Sequence, residues 1–565
     1  MSYPRQRIDV TAGRTEGQQS VAAQPGAGHD PLSRREFLWR AGIGASALSI
    51  GGVLGPATAV AHGQVAAAAK KGGTLVFPVD DMTGNLEPGI FATYADWMGV
   101  EMVARGLTHC DFRSGTIQPA VAKSWTISSD RTVYTFHLRS GLTFHDGTPV
   151  TAQDFARSWT RLVNPKDPTQ APGTFTAFAL LGVPVVASWK ALDAHTFQVK
   201  LDGPDESFLA RCGTLAGAVV SSKALDRYGK NIGRNLVGCG PFKFAGFTQG
   251  QKCVFRAFDG YYAGRPSVNE VIYQIITDPT AMESALASGA AQASDFESLT
   301  SLSALKGPLD VATGTPRQQI FCWMNASAPS LKDIRVRQAI NYCIDRKRVI
   351  SEGLNGYGVE PAYIVADGIP GYSASLKPYS TQDLAKAQSL VKAAGAQGRT
   401  VKFIAPNNRW WPTVGQIVEE NVLSIGLKPE FTYLDEAAFT TAETTINQHE
   451  VALDSFTAPI VDPDNAARSI FLSTGTFSTV ITGQFTLKTV SAKLDALLVQ
   501  ARQEPDPASR AQHYVEFQRI AAEELMVIAM LAYNPAPVAY AKNVVGLDID
   551  ALCCYHGFLE TAAFA

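Results

Sequence analysis

The stretch Ala122 to Gly147, AKSWTISSDRTVYTFHLRSGLTFHDG, constrains the fold more than any other part of the chain. From Val133 to Arg139 the side chains alternate, with Tyr134, Phe136 and Leu138 on one face and Thr135, His137 and Arg139 on the other. Alternation of this kind belongs to a strand with one face in a core and one toward solvent. Ser140-Gly141 and His145-Asp146-Gly147 then turn the chain, glycine tolerating the positive φ that such corners need. A helix is expected at once: Thr151 can cap it, Asp154 stands three residues on as in a capping box, and Val150 and Phe155 occupy the two positions of a hydrophobic staple. Phe155, Trp159 and Leu162 form its apolar stripe.

These residues resemble the signature of the bacterial extracellular solute-binding proteins of family 5, the peptide and nickel-binding type of ABC-transporter receptor. The matching positions are Ala122, Ser124-Trp125, Thr135 to Arg139, Phe144 to Pro149 and Thr151-Ala152-Gln153-Asp154. Further likeness lies in Gly72-Gly73-Thr74-Leu75, Asn85-Leu86-Glu87-Pro88, Val237-Gly238-Cys239-Gly240-Pro241-Phe242 and Val336-Arg337-Gln338-Ala339-Ile340. Two positions depart from the family pattern: Arg105 replaces a residue that is commonly acidic, and Cys239 a threonine. The signature marks a scaffold; Trp125, Tyr134 and Phe136 read as core rather than ligand wall.

The resemblance implies an α/β, two-lobed periplasmic-binding-protein fold of type II, with an additional subdomain in the first lobe. On that basis residues 1–61 are a signal peptide, 62–71 a mobile linker, 72–114 and 236–322 the first-lobe core, 115–235 the additional subdomain, 323–534 the second lobe, and 535–565 a return to the first lobe. A chain of 565 residues is too long for one core in any case. Helix and strand alternate beyond residue 383, with helices expected over Asp383–Ala394 and Val414–Ile425 and strands over Thr400–Ala405 and Val451–Phe456. Such alternation implies a mainly parallel sheet.

A charged content of 18% and a net charge of −2 offer no basic excess to bind nucleic acid or an anionic membrane. Ser33-Arg34-Arg35-Glu36-Phe37-Leu38, a weakly apolar run from Ala41 to Val60, and Ala59-Val60-Ala61 read as a twin-arginine export signal with a cleavage site. Left uncleaved, it would tether the protein. No cysteine precedes Cys110, so a lipoprotein is not expected. The eight cysteines permit disulfides in an exported protein, with Cys239 and Cys253 flanking a hairpin where they could face each other; buried reduced thiols are the equal alternative.

The best site candidate is Asn407-Asn408-Arg409-Trp410-Trp411-Pro412, after a predicted strand end. Trp410 and Trp411, adjacent in a polar loop and not both expected in a core, offer stiff apolar faces, and Arg409 a planar fork for a carboxylate. In dipeptide-binding relatives an arginine at the matching place pairs with the ligand's C-terminal carboxylate. Asn408, Asp454 and Trp97 complete the candidate set. Peptide-binding members also carry an aspartate just before an acidic turn, where it neutralises the ligand's ammonium. Here the turn is Asp462-Pro463-Asp464-Asn465, and Ala458, Pro459, Ile460 and Val461 precede it, so that carboxylate is missing.

No catalytic residues are expected: the chain has no G-x-S-x-G elbow, no H-E-x-x-H and no phosphate loop. The glycine-rich run at Gly42 lies within the export signal. His137 and His145 could be neighbours across the turn, and Cys553-Cys554-x-His556 has ligand chemistry, but no closed metal site is evident and neither metal nor cofactor is expected. The expected function is that of a monomeric receptor, outside the cytoplasmic membrane, that closes on a peptide-like or other carboxylate-bearing solute and delivers it to ABC permease subunits. A sensing partner without transport is the alternative, and a secreted hydrolase a more distant one.

Overall fold

The computed structural model describes residues 70–565 apart from 91–92, 165, 171–184, 296–304, 306, 308, 446–448, 459, 474, 476, 479–481, 484–485, 553–555 and 558. The expected export signal and the Cys553-Cys554 pair lie outside the described residues. The end of the expected linker is tied down: Lys70 N donates to Phe564 O at 2.8 Å.

Two cores organise the described residues. The first gathers Leu75 and Phe77, the signature residues Tyr134, Phe136, Phe155 and Trp159, and, near the C-terminus, Val544, Leu552 and Leu559. The second is built mainly from residues between Ile320 and Tyr533, joined by Met282, Leu286, Ala291, Leu305 and Leu309 before them and by Ala539 after them. Burying a large apolar side chain of this kind stabilises by about 1.5–3 kcal/mol, which is why each strand presents its apolar face inward.

In the first lobe, Thr74–Val79 pairs in parallel with Glu270–Ile275, which pairs antiparallel with Lys252–Ala257 and, through it, Phe242–Thr248. The signature strand Val133–Leu138 alternates as expected, burying Tyr134, Phe136 and Leu138. It lies in an antiparallel sheet between Ala122–Ile127 and Thr196–Leu201, with Val186–Ala191 at the far edge. Gly141 and Gly147 take φ of 75° and 83° at the two corners. The helix Ala152–Val163 begins with Asp154 Oδ2 accepting from Thr151 N at 2.9 Å and Thr151 Oγ1 at 2.7 Å, the reciprocal half of the expected capping box. Its Trp159 stands edge-on to Phe197 at 5.1 Å.

The family motifs dock on one another. Arg161 of that helix forms a bidentate pair with Glu87, at 2.8 and 2.7 Å, with both side chains almost wholly buried. His145 N donates to Gly238 O at 2.9 Å and its Nε2 lies 3.0 Å from Gly240 O, so the histidine is taken up by the glycine turn. A Cβ on Gly238 would collide with Val103 O, which explains the glycine there. Arg105 is buried, paired with Glu560 and hydrogen-bonded to Glu101 O, so this departure from the family pattern serves a local first-lobe contact. Cys239 and Cys253 form no bridge; both are buried thiols, and burial pushes Cys239 up to about 12.

The second-lobe sheet runs Lys428–Leu434, Thr400–Pro406, Val451–Phe456, Gln318–Met324, Ile528–Asn534. Its first three strands are parallel, whereas Gln318–Met324 is antiparallel to both neighbours. The sheet is therefore mixed rather than mainly parallel, because two of its five strands are the ones by which the chain crosses between lobes. Gln318–Met324 follows Leu309–Ala312, and Ile528–Asn534 leads into Val538–Ala541; those outer segments pair with each other. At the crossing Asn534 Nδ2 donates to Gln318 Oε1 at 2.7 Å.

Candidate functional site

Beside the two crossings lies a pocket enclosing about 480 Å³, counting the part open to solvent. Gln319 and Tyr533 come from the crossing strands and Arg317 from the residue just before the first of them, Ile364 to Ala366 from a second-lobe loop, Phe112 from the first lobe, and Ala458, Ile460 and Val461 from the segment after Val451–Phe456. That last segment is the one in which the sequence lacks the expected carboxylate; the structure makes it an apolar wall.

Among the described residues the lining holds two charged side chains, Arg317 and Asp462. Asp462 is already committed. It caps the helix Pro463–Phe471 by accepting from Asp464 N at 2.9 Å, and takes both Nη1 and Nη2 of Arg510 at 2.9 and 2.8 Å. Arg317 is not committed: its Nε and Nη1 are shut off from solvent and donate to nothing. Gln319 stands two residues on, on the same side of the extended chain. Its Nε2 donates to Ile364 O at 2.9 Å, while its Oε1 accepts no hydrogen bond; the one hydroxyl proton of Tyr533 goes to Ile364 O.

A second polar contact joins the lobes away from the pocket. Asp464 pairs with Arg211, accepts from Ser207 Oγ at 3.2 Å, and lies 3.5 Å from Arg468. Burial alone would push the Asp464 carboxyl up, but Arg211, Arg468 and Arg510 around it hold it below the usual carboxylate range. The acidic turn read from the sequence is thus the start of a helix whose Asp464 serves the contact between lobes, while Asp462 stays within the second.

None of the six residues singled out from the sequence lines the pocket. Arg409, in the left-handed region at φ 54°, pairs with Asp80 at the end of the first-lobe strand. Asn408 O accepts from Trp411 N at 3.2 Å. Trp410 and Trp411 are both buried, with ring centroids 4.1 Å apart, against the expectation that the loop would leave one exposed. The reason is local: the helix begins at Trp411 rather than Val414, with Pro412 in its first turn, and draws both indoles into the second core. Asp454 accepts from Trp323 Nε1 at 3.0 Å. Trp97 Nε1 donates to Glu101 at 3.0 Å, and Glu101 also meets His556 Nδ1 at 2.7 Å. Arg317 went unrecognised in the sequence; its signal is the polar run Arg317-Gln318-Gln319 at the mouth of an otherwise apolar strand.

The model for bacterial extracellular solute-binding proteins, family 5 Middle, matches residues 116–478. The chain is 23% identical over 516 residues to the dipeptide-binding protein of Escherichia coli K12, covering 87% of this chain and 95% of that one. It is 26% identical over 443 residues to the glutathione-binding protein GsiB of Shigella flexneri, covering 77% and 84%. Among solved structures, the periplasmic binding protein DppA of Helicobacter pylori in complex with the peptide STSA superposes with a TM-score of 0.76 at 23% identity, over 88% of this chain and 98% of that one. AgaA of A. tumefaciens R10 in complex with agropinic acid gives 0.74 at 24% identity, over 87% and 99%.

Proposed function

The chain belongs to the bacterial extracellular solute-binding proteins of family 5, and from that premise we propose that it captures a small carboxylate-bearing solute, peptide-like or opine-like, for an ABC importer. The observation that carries this reading is the pocket at the junction of the lobes, beside both chain crossings, with an uncommitted guanidinium in a mostly apolar wall. Ligand contacts drawn from both lobes favour the closed arrangement over an open one, and that difference in affinity is all that capture by closure requires. The closed form is what a permease would then recognise. The similarity to proteins described as binding dipeptide, glutathione, the peptide STSA and agropinic acid supports a ligand with at least one carboxylate. The Arg34-Arg35 motif supports export by the twin-arginine route.

Thermal unfolding of the full-length protein against di- and tripeptides, N-acyl amino acids, opines, neutral sugars and nickel with or without chelators tests this. A ligand at 100 times its Kd stabilises by ~2.7 kcal/mol. The expected result is a rise in melting temperature with carboxylate-bearing solutes; a response confined to sugars or nickel would contradict the reading. Loss of uptake on deletion of the protein separates transport from sensing alone.

A further inference from the structure

Resting on that reading, we infer that Arg317 is the residue that takes the ligand's carboxylate, and that with Gln319 it selects ligands that carry an amide N–H next to that carboxylate and no free ammonium beyond it. Three observations converge on this. Two guanidinium nitrogens of Arg317 are buried without acceptors, although a guanidinium keeps its charge under all ordinary conditions. A buried donor of that kind is costly to leave unmade, and a carboxylate is the acceptor best suited to it. Gln319 Oε1, on the same side of the chain, is a buried acceptor without a donor, placed to receive an N–H from the group adjoining the carboxylate. The surrounding wall, including Phe112, Ile364, Ile460 and Val461, is apolar.

A free ammonium fits this pocket poorly. Its one carboxylate among the described residues, Asp462, is held by Arg510 and by the helix start. An ammonium would therefore meet Arg317 with no compensating charge, at a cost that rises as water is excluded. An N-acylated amino acid or N-blocked dipeptide presents instead an anion, an amide N–H and an apolar body, which is the complement of what the pocket offers. Arg409 stands elsewhere in this scheme, because its partner across the lobes is Asp80.

The test is calorimetric titration of the full-length protein with N-acetyl-alanyl-leucine, its C-terminal amide, and free alanyl-leucine, using wild type, Arg317→Gln, Arg317→Lys and Arg409→Gln, with thermal unfolding of each variant alone. Wild type is expected to bind the acetylated acid at least tenfold more tightly than either the amide or the free dipeptide. Arg317→Gln removes the preference of acid over amide, Arg317→Lys restores part of it, and Arg409→Gln weakens acid and amide alike while keeping their ratio. Unliganded Arg317→Gln melts at or above the wild-type temperature, since two buried donors without acceptors are gone, whereas loss of a structural arginine would lower it. The inference is overturned if Arg409→Gln abolishes the acid preference and Arg317→Gln does not, or if Arg317→Gln melts well below wild type. In the first case carboxylate capture itself still stands. If wild type binds none of the three probes, the melting temperature of Arg317→Gln decides the matter alone.

Discussion

The signature region of the first lobe and the pocket at the crossing strands treat buried charge in opposite ways. In the signature region Arg161 and Glu87, with almost no solvent contact, satisfy each other bidentately. In the pocket Arg317 keeps two buried nitrogens without an acceptor. A buried charge paired within the chain holds elements together, and breaking such a pair strands its partner. Buried donors left without acceptors at a pocket weaken the empty protein and find their partner in a ligand. Arg409 sits with the first kind: it resembles a ligand clamp in sequence, yet Asp80 of the opposite lobe already occupies it.

This contrast can be broken at its strongest point. Glu87→Ala leaves the Arg161 guanidinium buried and alone, and should cost ~3–5 kcal/mol in urea unfolding. A loss no larger than the ~0.2–1 kcal/mol of an exposed pair would show that the signature region does not depend on internal pairing.

A smaller effect sits at His145, packed against Phe258 with its ring nitrogen on Gly240 O. Burial, and secondarily the nearby Lys243 ammonium, push its pKa down to about 4. In the unfolded chain a histidine takes up its proton near pH 6.5, so between those values the unfolded state binds the extra proton. The stability that neutral His145 contributes is complete above about pH 6.5 and declines as pH falls toward 4. The loss should be roughly 2 kcal/mol, reduced from the full shift because the ring retains some solvent contact. His145→Gln should flatten that part of the stability profile; an unchanged slope would place the titrating group elsewhere.

The smallest effect is expected at the partly exposed Arg409–Asp80 pair. Asp80→Asn should change unfolding free energy by no more than ~1 kcal/mol and weaken all ligands by a similar factor, about fivefold or less, through looser closure. A selective loss of carboxylate ligands would move Arg409 back toward the ligand and blunt the contrast.

What could be read beforehand follows from range of interaction. Tyr134, Phe136 and Leu138 declare a strand, and Thr151 with Asp154 a helix start, because alternation and capping involve neighbours within a few residues. The helix Lys488–Gln503, the longest described, and the helix Pro463–Phe471, whose start reads only as an acidic turn, are not among the expected elements. The tryptophan pair is hard to read in sequence because the helix starts at Trp411, before the apolar periodicity that begins at Val414, with Pro412 in its first turn. Arg317 was missed for a deeper reason. Whether an arginine has a partner depends on what folds around it: Asp80 is 329 residues from Arg409, and the commitment of Asp462 to Arg510 is visible only in three dimensions.

The most direct test of the central claim is a crystal structure of the protein with the tightest-binding N-acylated carboxylate. The account predicts the ligand carboxylate about 3 Å from the Arg317 guanidinium, its amide N–H on Gln319 Oε1, and Arg409 still paired with Asp80. A carboxylate seated on Arg409, with Asp80 displaced and Arg317 turned to solvent, would contradict it.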